Sequence, residues 1–150
     1  MQRELSQAAG RILALDLGQR RIGLAISDEL GITAQGLDTL ERTRIRDDLD
    51  RLAEIASLRK AAMILIGEPL HMGGQAGRQA EYVREFGGRL ARRTGLPVCY
   101  WDERLTTVEA NRALREGGAG IGRRARSVDR MAAVLLLQSY LEALRAAGTE

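Results

Sequence analysis

The chain has 150 residues, enough for one domain with its own hydrophobic core, and a formal net charge of +3. The single cysteine, Cys99, excludes an internal disulfide and fits a reducing compartment. No hydrophobic leader and no run of eighteen apolar residues is present, so we expect a cytoplasmic protein that does not cross a membrane. We expect a single domain over residues 11–145, between flexible tails at 1–10 and 146–150.

The elements predicted along the chain alternate between strands and helices without internal repeats. Three strands come first, at 11–17, 21–27 and 35–40, and are followed by a helix, a buried strand, a helix and a fifth strand at 45–56, 62–67, 80–90 and 97–101. A short helix from Thr106 to Gly117 and a long helix from Ser127 to Leu144 complete the order β-β-β-α-β-α-β-α-α. This order predicts an α/β fold, with an antiparallel three-strand meander and parallel strands in one mixed sheet flanked by helices.

Arginine dominates the basic residues, because Lys60 is the only lysine among 23 of them. The arginine guanidinium matches phosphate with two parallel donors, although a GC-rich genome would also favour arginine codons. Arginines are concentrated between Asn111 and Arg130, and such a patch could bind a polyanion. Aromatic residues make up only 3% of the chain, so we expect the backbone and shape of a nucleic acid to be recognised rather than its bases.

Acidic residues interrupt the apolar pattern at three places: Asp16 in the first strand, Asp102-Glu103 after the fifth, and Asp129 in the first turn of the last helix. Each has an ordinary explanation, as a turn residue, a solvated junction or an acid favoured by the helix dipole. Together they could converge at one sheet edge. Clustered carboxylates repel unless a cation neutralises them, which indicates Mg²⁺ or Mn²⁺ and the hydrolysis of phosphodiester bonds.

Three segments resemble motifs of the YqgF/RuvX family, in the same order: 15–28, 102–110 and 128–141. The resemblance extends from about residue 11 to residue 144. It implies an RNase H-like fold related to the RuvC resolvases and a nuclease that matures the 5′ end of pre-16S rRNA, or alternatively cuts Holliday junctions. By motif, the resemblance implies that Asp16, Glu103 and Asp129 are the catalytic and metal-binding acids. A resolvase would be expected to act as a symmetric dimer.

The substrate is expected to be structured RNA or branched DNA. The residues predicted to bind it flank these acids: Arg20, Arg21, Arg104, Thr106, Thr107, Arg123, Arg124 and Arg126.

One motif departs from the family, which usually has Gly-Leu-Pro after the fourth strand where this chain has Gly67-Glu68-Pro69. Glu68 could point toward Asp16 as a fourth catalytic acid, or it could be a solvated loop residue. The only histidine, His71, follows in a glycine-rich loop and is either a surface residue or a substrate contact.

Two other classes of protein share parts of this pattern. Asp16-Leu17-Gly18 with Gly23 is similar to the phosphate-binding hairpin of actin-like ATPases and sugar kinases, but 150 residues leave no room for their second domain. A non-catalytic RNA-binding factor in ribosome assembly is the remaining alternative, and only a cleavage assay separates it from a nuclease.

Overall fold

A computed structural model describes residues 10–69, 74–102 and 121–148, without the side chains of 74–76 and 121–127. The strands are β1 (Arg11–Leu17), β2 (Arg21–Ser27), β3 (Ala34–Glu41), β4 (Ala61–Glu68) and β5 (Val98–Asp102). The helices within these ranges are α1 (Ile45–Leu58), α2 (Gly74–Thr94) and α3 (Ile121–Gly148). No described helix is long and apolar enough to span a membrane.

The five strands form one sheet in the order β3-β2-β1-β4-β5. β2 pairs antiparallel with β1 and β3, whereas β4 pairs parallel with β1 and β5. The predicted mixed sheet with an antiparallel meander is therefore confirmed. Because β1, β4 and β5 run parallel, their carboxyl ends meet at one edge of the sheet, and this edge carries Asp16, Glu68 and Asp102.

Each face of the sheet has its own hydrophobic core, and alternation along the strands decides which side chain enters which core. Leu13 and Leu15 of β1 pack on the side of α1 and α2, with Phe86 of α2. Ile12 and Ala14 pack on the other side, with Leu137 of α3. We call these the α1/α2 face and the α3 face.

The element boundaries differ from the prediction by one or two residues in α1, β3, β4 and β5, and α2 is longer at both ends, from Gly74 to Thr94 instead of 80–90. β3 is longer by one residue at each end, and α3 begins at Ile121 rather than Ser127 and continues to Gly148. The residues 123–126 before Ser127 are arginine and alanine, which have high helix propensity, so the helix extends through them in spite of Gly122. Asp129 consequently lies in the third turn of α3. The short helix predicted from Thr106 falls outside the described residues.

α3 lies unusually close to the sheet at Gly23 of β2. A Cβ atom added at Gly23 would lie 2.0 Å from the carbonyl oxygen of Asp129. The contact is between two backbones, which cannot move aside as a flexible side chain can. A glycine inside a strand is typical of such a close approach. Gly23 therefore sets the depth at which the Asp129 turn of α3 packs on the sheet.

We expect Gly23→Ala to destabilise the protein by at least about 2 kcal/mol, because the added methyl group forces α3 away from the sheet. The matched control is Gly77→Ala in α2, where an added Cβ meets no atom within 4 Å. That substitution should stabilise by about 0.5–1 kcal/mol through helix propensity alone. Urea unfolding of both variants measures the difference. Equal effects at the two positions would contradict the close packing at Gly23.

Candidate active site

Asp16 and Asp129 face each other across the contact between α3 and the sheet. Asp16 follows Ile12 and Ala14 in the alternation of β1, so its side chain belongs to the α3 face. Its partner in the β1–β2 register is Gly23, the residue on which the backbone of Asp129 rests. The structure thus brings together two of the three acids that the family resemblance implied. Both are half-buried.

The pKa of Asp129 reports this proximity. It is raised from about 3.8 to about 6, chiefly because burial removes water from the carboxylate and secondly because Asp16 is negatively charged. The charge of Arg21 opposes the shift, and Glu41 adds to it. A positive charge close to these two carboxylates would lower the cost of ionising both.

The β1–β2 turn next to these acids carries two of the predicted substrate-binding arginines. Arg20 is exposed. Arg21 is mostly buried, and its Nε donates to Glu41 Oε2 at 3.0 Å. Glu41 thereby holds Arg21 beside the acids while using one of its donors. Arg20 is the freer of the two to meet a phosphate.

Arg130 anchors α3 to the edge strand β3, a role that the sequence did not indicate. Its Nε donates to the carbonyl oxygen of Leu37 at 3.1 Å, and its Nη2 to Asp38 Oδ1 at 2.9 Å. The aliphatic part of the side chain passes over Gly36, where a Cβ would lie 2.6 Å from Arg130 Cγ. The sequence pattern predicts Arg130 in a polyanion-binding patch, but its guanidinium contacts β3 and fixes the helix turn that carries Asp129.

Glu68 belongs to the opposite face of the sheet. Ile64 and Ile66 precede it in the alternation of β4 and pack on the α1/α2 face, and Glu68 follows them there. Its carboxylate accepts two hydrogen bonds from Arg84 of α2, at 2.6 and 2.9 Å, and only 6% of the residue is exposed. The structure therefore does not bring Glu68 to Asp16, nor is it a solvated loop residue.

Arg84 completes this second cluster. Its guanidinium carbon lies 4.2 Å from the ring centroid of Tyr100, and its side chain is 59% exposed. The ion pair with Glu68 is the main cause that raises the pKa of Arg84. The ion pair between Glu68 and Arg84 therefore connects the end of β4 to α2.

The remaining predicted site residues lie outside the described structure, and they are Glu103, Arg104, Thr106, Thr107 and His71. The side chains of Arg123, Arg124 and Arg126 are also outside it, although their backbone belongs to the first turns of α3. Within the described ranges, no three acidic, histidine or cysteine side chains form a metal-binding group. Asp16 and Asp129 supply two carboxylates, and Glu103 follows directly after β5.

The raised pKa of Asp129 predicts how the stability of the metal-free protein depends on pH. The folded protein binds this proton more tightly than the unfolded chain, so stability is lost as the pH rises from about 4 to about 6. Asp129→Asn removes that loss. In EDTA, the variant should be more stable than the wild type at pH 7.5, and the difference should shrink at pH 4.

Thermal unfolding at both pH values measures this effect, with Glu54→Gln as the control because Glu54 is an exposed carboxylate of α1. A difference between Asp129→Asn and the wild type that does not change with pH would contradict the raised pKa of Asp129.

The pairing of Glu68 predicts an asymmetric mutant cycle. Arg84→Ala leaves a buried carboxylate without its two hydrogen bonds and should cost about 2 kcal/mol. Glu68→Leu should cost much less, because the exposed Arg84 can turn to water. In the Glu68→Leu background, Arg84→Ala should therefore have a small effect, measured by urea unfolding. An equal cost in both backgrounds would show that the two side chains are not coupled.

Known proteins resemble this chain over nearly its whole length. Relatives in Koribacter versatilis and Agathobacter rectalis, each named "Putative pre-16S rRNA nuclease", are 51% and 47% identical over 140 and 137 residues. These alignments cover 93% and 89% of this chain and 92% and 96% of the relatives.

Among solved structures, RuvC of Thermus thermophilus in complex with a Holliday junction substrate superimposes with a TM-score of 0.58 over 90% of this chain and 96% of that chain. At 14% identity this similarity concerns the fold, which confirms the expected RNase H-like architecture. The RuvX family, described as Holliday junction resolvase, matches residues 10–143. The chain belongs to the RuvX family, as its three motifs indicated.

Proposed function

We propose that this protein is a metal-dependent endonuclease that hydrolyses phosphodiester bonds of structured nucleic acid at the sheet edge of Asp16 and Asp129. The observation that carries the proposal is the juxtaposition of these two half-buried carboxylates; burial, together with the charge of Asp16, raises the pKa of Asp129 to about 6. The cost of ionising Asp129 develops as the pH rises from about 4 to about 6, and a bound cation would reduce it. The arrangement therefore supports a binding site for positive charge rather than a purely structural pair.

The donor set fits Mg²⁺ or Mn²⁺, because carboxylate oxygens are the ligands that hard divalent cations prefer. Asp16 and Asp129 would hold the metal, and Glu103 is the third ligand of the proposal. When bound, the metal would supply activation of a water and stabilisation of the leaving oxygen. The fixed backbone contact at Gly23 keeps Asp16 and Asp129 in place, which limits the rearrangement that binding requires.

Glu103 is assigned by the family motif, and it directly follows β5 in the sequence. Trp101, near the end of β5, packs on the α3 face. Trp101 Nε1 donates to Ser139 Oγ of α3 at 3.0 Å, and its ring meets Tyr140 edge-on at 5.1 Å. These contacts fix the end of β5 against the helix that carries Asp129.

The polyanion would be bound by the arginines around the acids. Arg20 is exposed in the β1–β2 turn, and Arg123, Arg124 and Arg126 precede Asp129 on α3. α3 passes Gly23 at Asp129 and Gly31 at Leu141, so its turns before Asp129 extend beyond the sheet edge that carries Asp16. Arg104, Thr106 and Thr107 directly follow Glu103 and complete the proposed substrate-binding set.

The substrate that we propose is pre-16S rRNA at its 5′ end, because relatives at 51% and 47% identity carry that substrate in their names. A four-way DNA junction is the second candidate, favoured by the description of the family as Holliday junction resolvase. Both substrates are branched or structured polyanions, and the proposed site addresses the phosphodiester that they share. A junction resolvase would act as a homodimer, so the DNA candidate carries that further expectation.

Asp16→Asn should lower the cleavage rate by at least about a hundredfold, because it removes a metal ligand and keeps the side-chain shape. Affinity for the nucleic acid should change little. Cleavage of labelled pre-16S leader RNA and of a four-way DNA junction is measured with Mg²⁺, with Mn²⁺ and with EDTA. The matched control is again Glu54→Gln, which also removes one carboxylate charge.

Cleavage by Asp16→Asn at the wild-type rate would contradict the site. If the wild type binds the RNA and cleaves neither substrate with either metal, the non-catalytic RNA-binding alternative is correct instead.

A further inference from the structure

A cleft opens on the α1/α2 face of the same sheet edge, beside the β1–β2 turn. Its volume is about 430 Å³, within the range of small-molecule sites. It is lined by Gly18, Gln19, Arg42, Thr43, Gln79 and Tyr82. Neither the acids of the candidate active site nor the predicted substrate-binding residues belong to this lining.

Arg42 is the charged residue of the lining, and its charge is already balanced. Its Nε lies 3.3 Å from Asp48 Oδ2, and Asp48 is fully buried. Its other donors reach the carbonyl oxygen of Gly18 at 3.0 Å and the hydroxyl of Tyr82. A guanidinium engaged with three partners and neutralised by a buried carboxylate is a poor receptor for phosphate. The cleft therefore favours a neutral ligand.

The other lining groups fit a flat ligand with a polar edge. Tyr82 offers an aromatic ring, and its orientation is fixed by Arg42, whose guanidinium carbon lies 5.5 Å from the ring centroid. Gln19 and Gln79 offer carboxamides, each with donors and an acceptor. No hydrogen bond engages either carboxamide within the described part of the chain. Aromatic stacking combined with hydrogen bonds to the edge is how proteins bind an unpaired nucleobase.

We propose that this cleft binds one unpaired nucleobase of the substrate, next to the phosphodiester held at Asp16 and Asp129. Gly18 is two residues beyond Asp16, about 7 Å along an extended chain, so the two sites flank the end of β1. A nucleic-acid strand that crosses the β1–β2 turn would place the scissile phosphate on the α3 face and a neighbouring base on the α1/α2 face. This inference rests on the proposed nuclease function for its substrate, and it adds base recognition to a protein with few aromatic residues.

Binding is tested without metal and without cleavage. Adenosine, guanosine, cytidine and uridine are each titrated into the protein in EDTA. Inorganic phosphate is titrated separately as the anionic probe. NMR follows the side-chain amide signals of Gln19 and Gln79. At least one nucleoside should shift both signals saturably, and phosphate should not. Gln79→Ala should weaken that nucleoside about tenfold, the effect of losing one buried hydrogen bond.

The matched control is Gln35→Ala, an exposed glutamine of β3 outside the cleft, which should bind nucleoside as the wild type does. Alanine favours the helix at position 79, and a thermal melt verifies that the variant folds. Nucleoside binding that is equally strong in Gln79→Ala, or shifts caused by phosphate alone, would overturn the proposal.

Asp16→Asn separates this proposal from the nuclease function, since it should bind nucleoside like the wild type although it does not cleave. Nucleoside binding by a wild-type protein that cleaves neither substrate would support the cleft and refute the nuclease. Cleavage by a protein whose cleft binds no nucleoside would support the nuclease and refute the cleft.

Discussion

The candidate active site depends on one close contact, in which the backbone of Asp129 packs directly against Gly23. No residue with a side chain fits at Gly23, because its Cβ would lie 2.0 Å from a carbonyl oxygen. Gly23 is also the register partner of Asp16, so the contact that seats α3 also sets the separation of the two carboxylates. Arg130, one residue later, ties the same helix turn to β3. The rest of α3 supplies the apolar packing that keeps this arrangement in place against the repulsion of the acids.

That repulsion explains why the acids are held by rigid elements rather than by loops. Two half-buried carboxylates repel each other, and the charge of Asp16 adds to the effect of burial in raising the pKa of Asp129. A strand and a helix in backbone contact cannot relax independently, so the electrostatic cost is retained in the metal-free protein. This cost is the part of the binding free energy that a cation would recover. If the pair holds a metal as proposed, function and the stability of the metal-free protein oppose each other at this position.

Local patterns predicted most of the fold but left some of the site open. Strand alternation placed Asp16 at the end of β1, whereas Asp129 was expected in the first turn of its helix and lies in the third. The face of Glu68 was not predictable in this way, because residues 62–67 are apolar on both sides and carry no alternation. Its orientation follows from the parallel pairing of β4 with β1, a long-range feature. Composition likewise could not show that Arg130 binds β3, where its side chain passes over Gly36, whereas other arginines are available to a polyanion.

The β1–β2 turn joins the two faces of the protein at the proposed site. Gly18 donates to the carbonyl oxygen of Arg21 at 2.9 Å and accepts from Arg42 at 3.0 Å, so the turn is held from within and from the α1/α2 face. Arg42 is in turn fixed by the buried Asp48, which also accepts from the backbone of Thr43. The network keeps the turn that follows Asp16 rigid without involving the α3 face. A buried ion pair contributes little net stability, so its value here is geometric: it fixes the turn between the acidic pair on one face and the proposed base-binding cleft on the other.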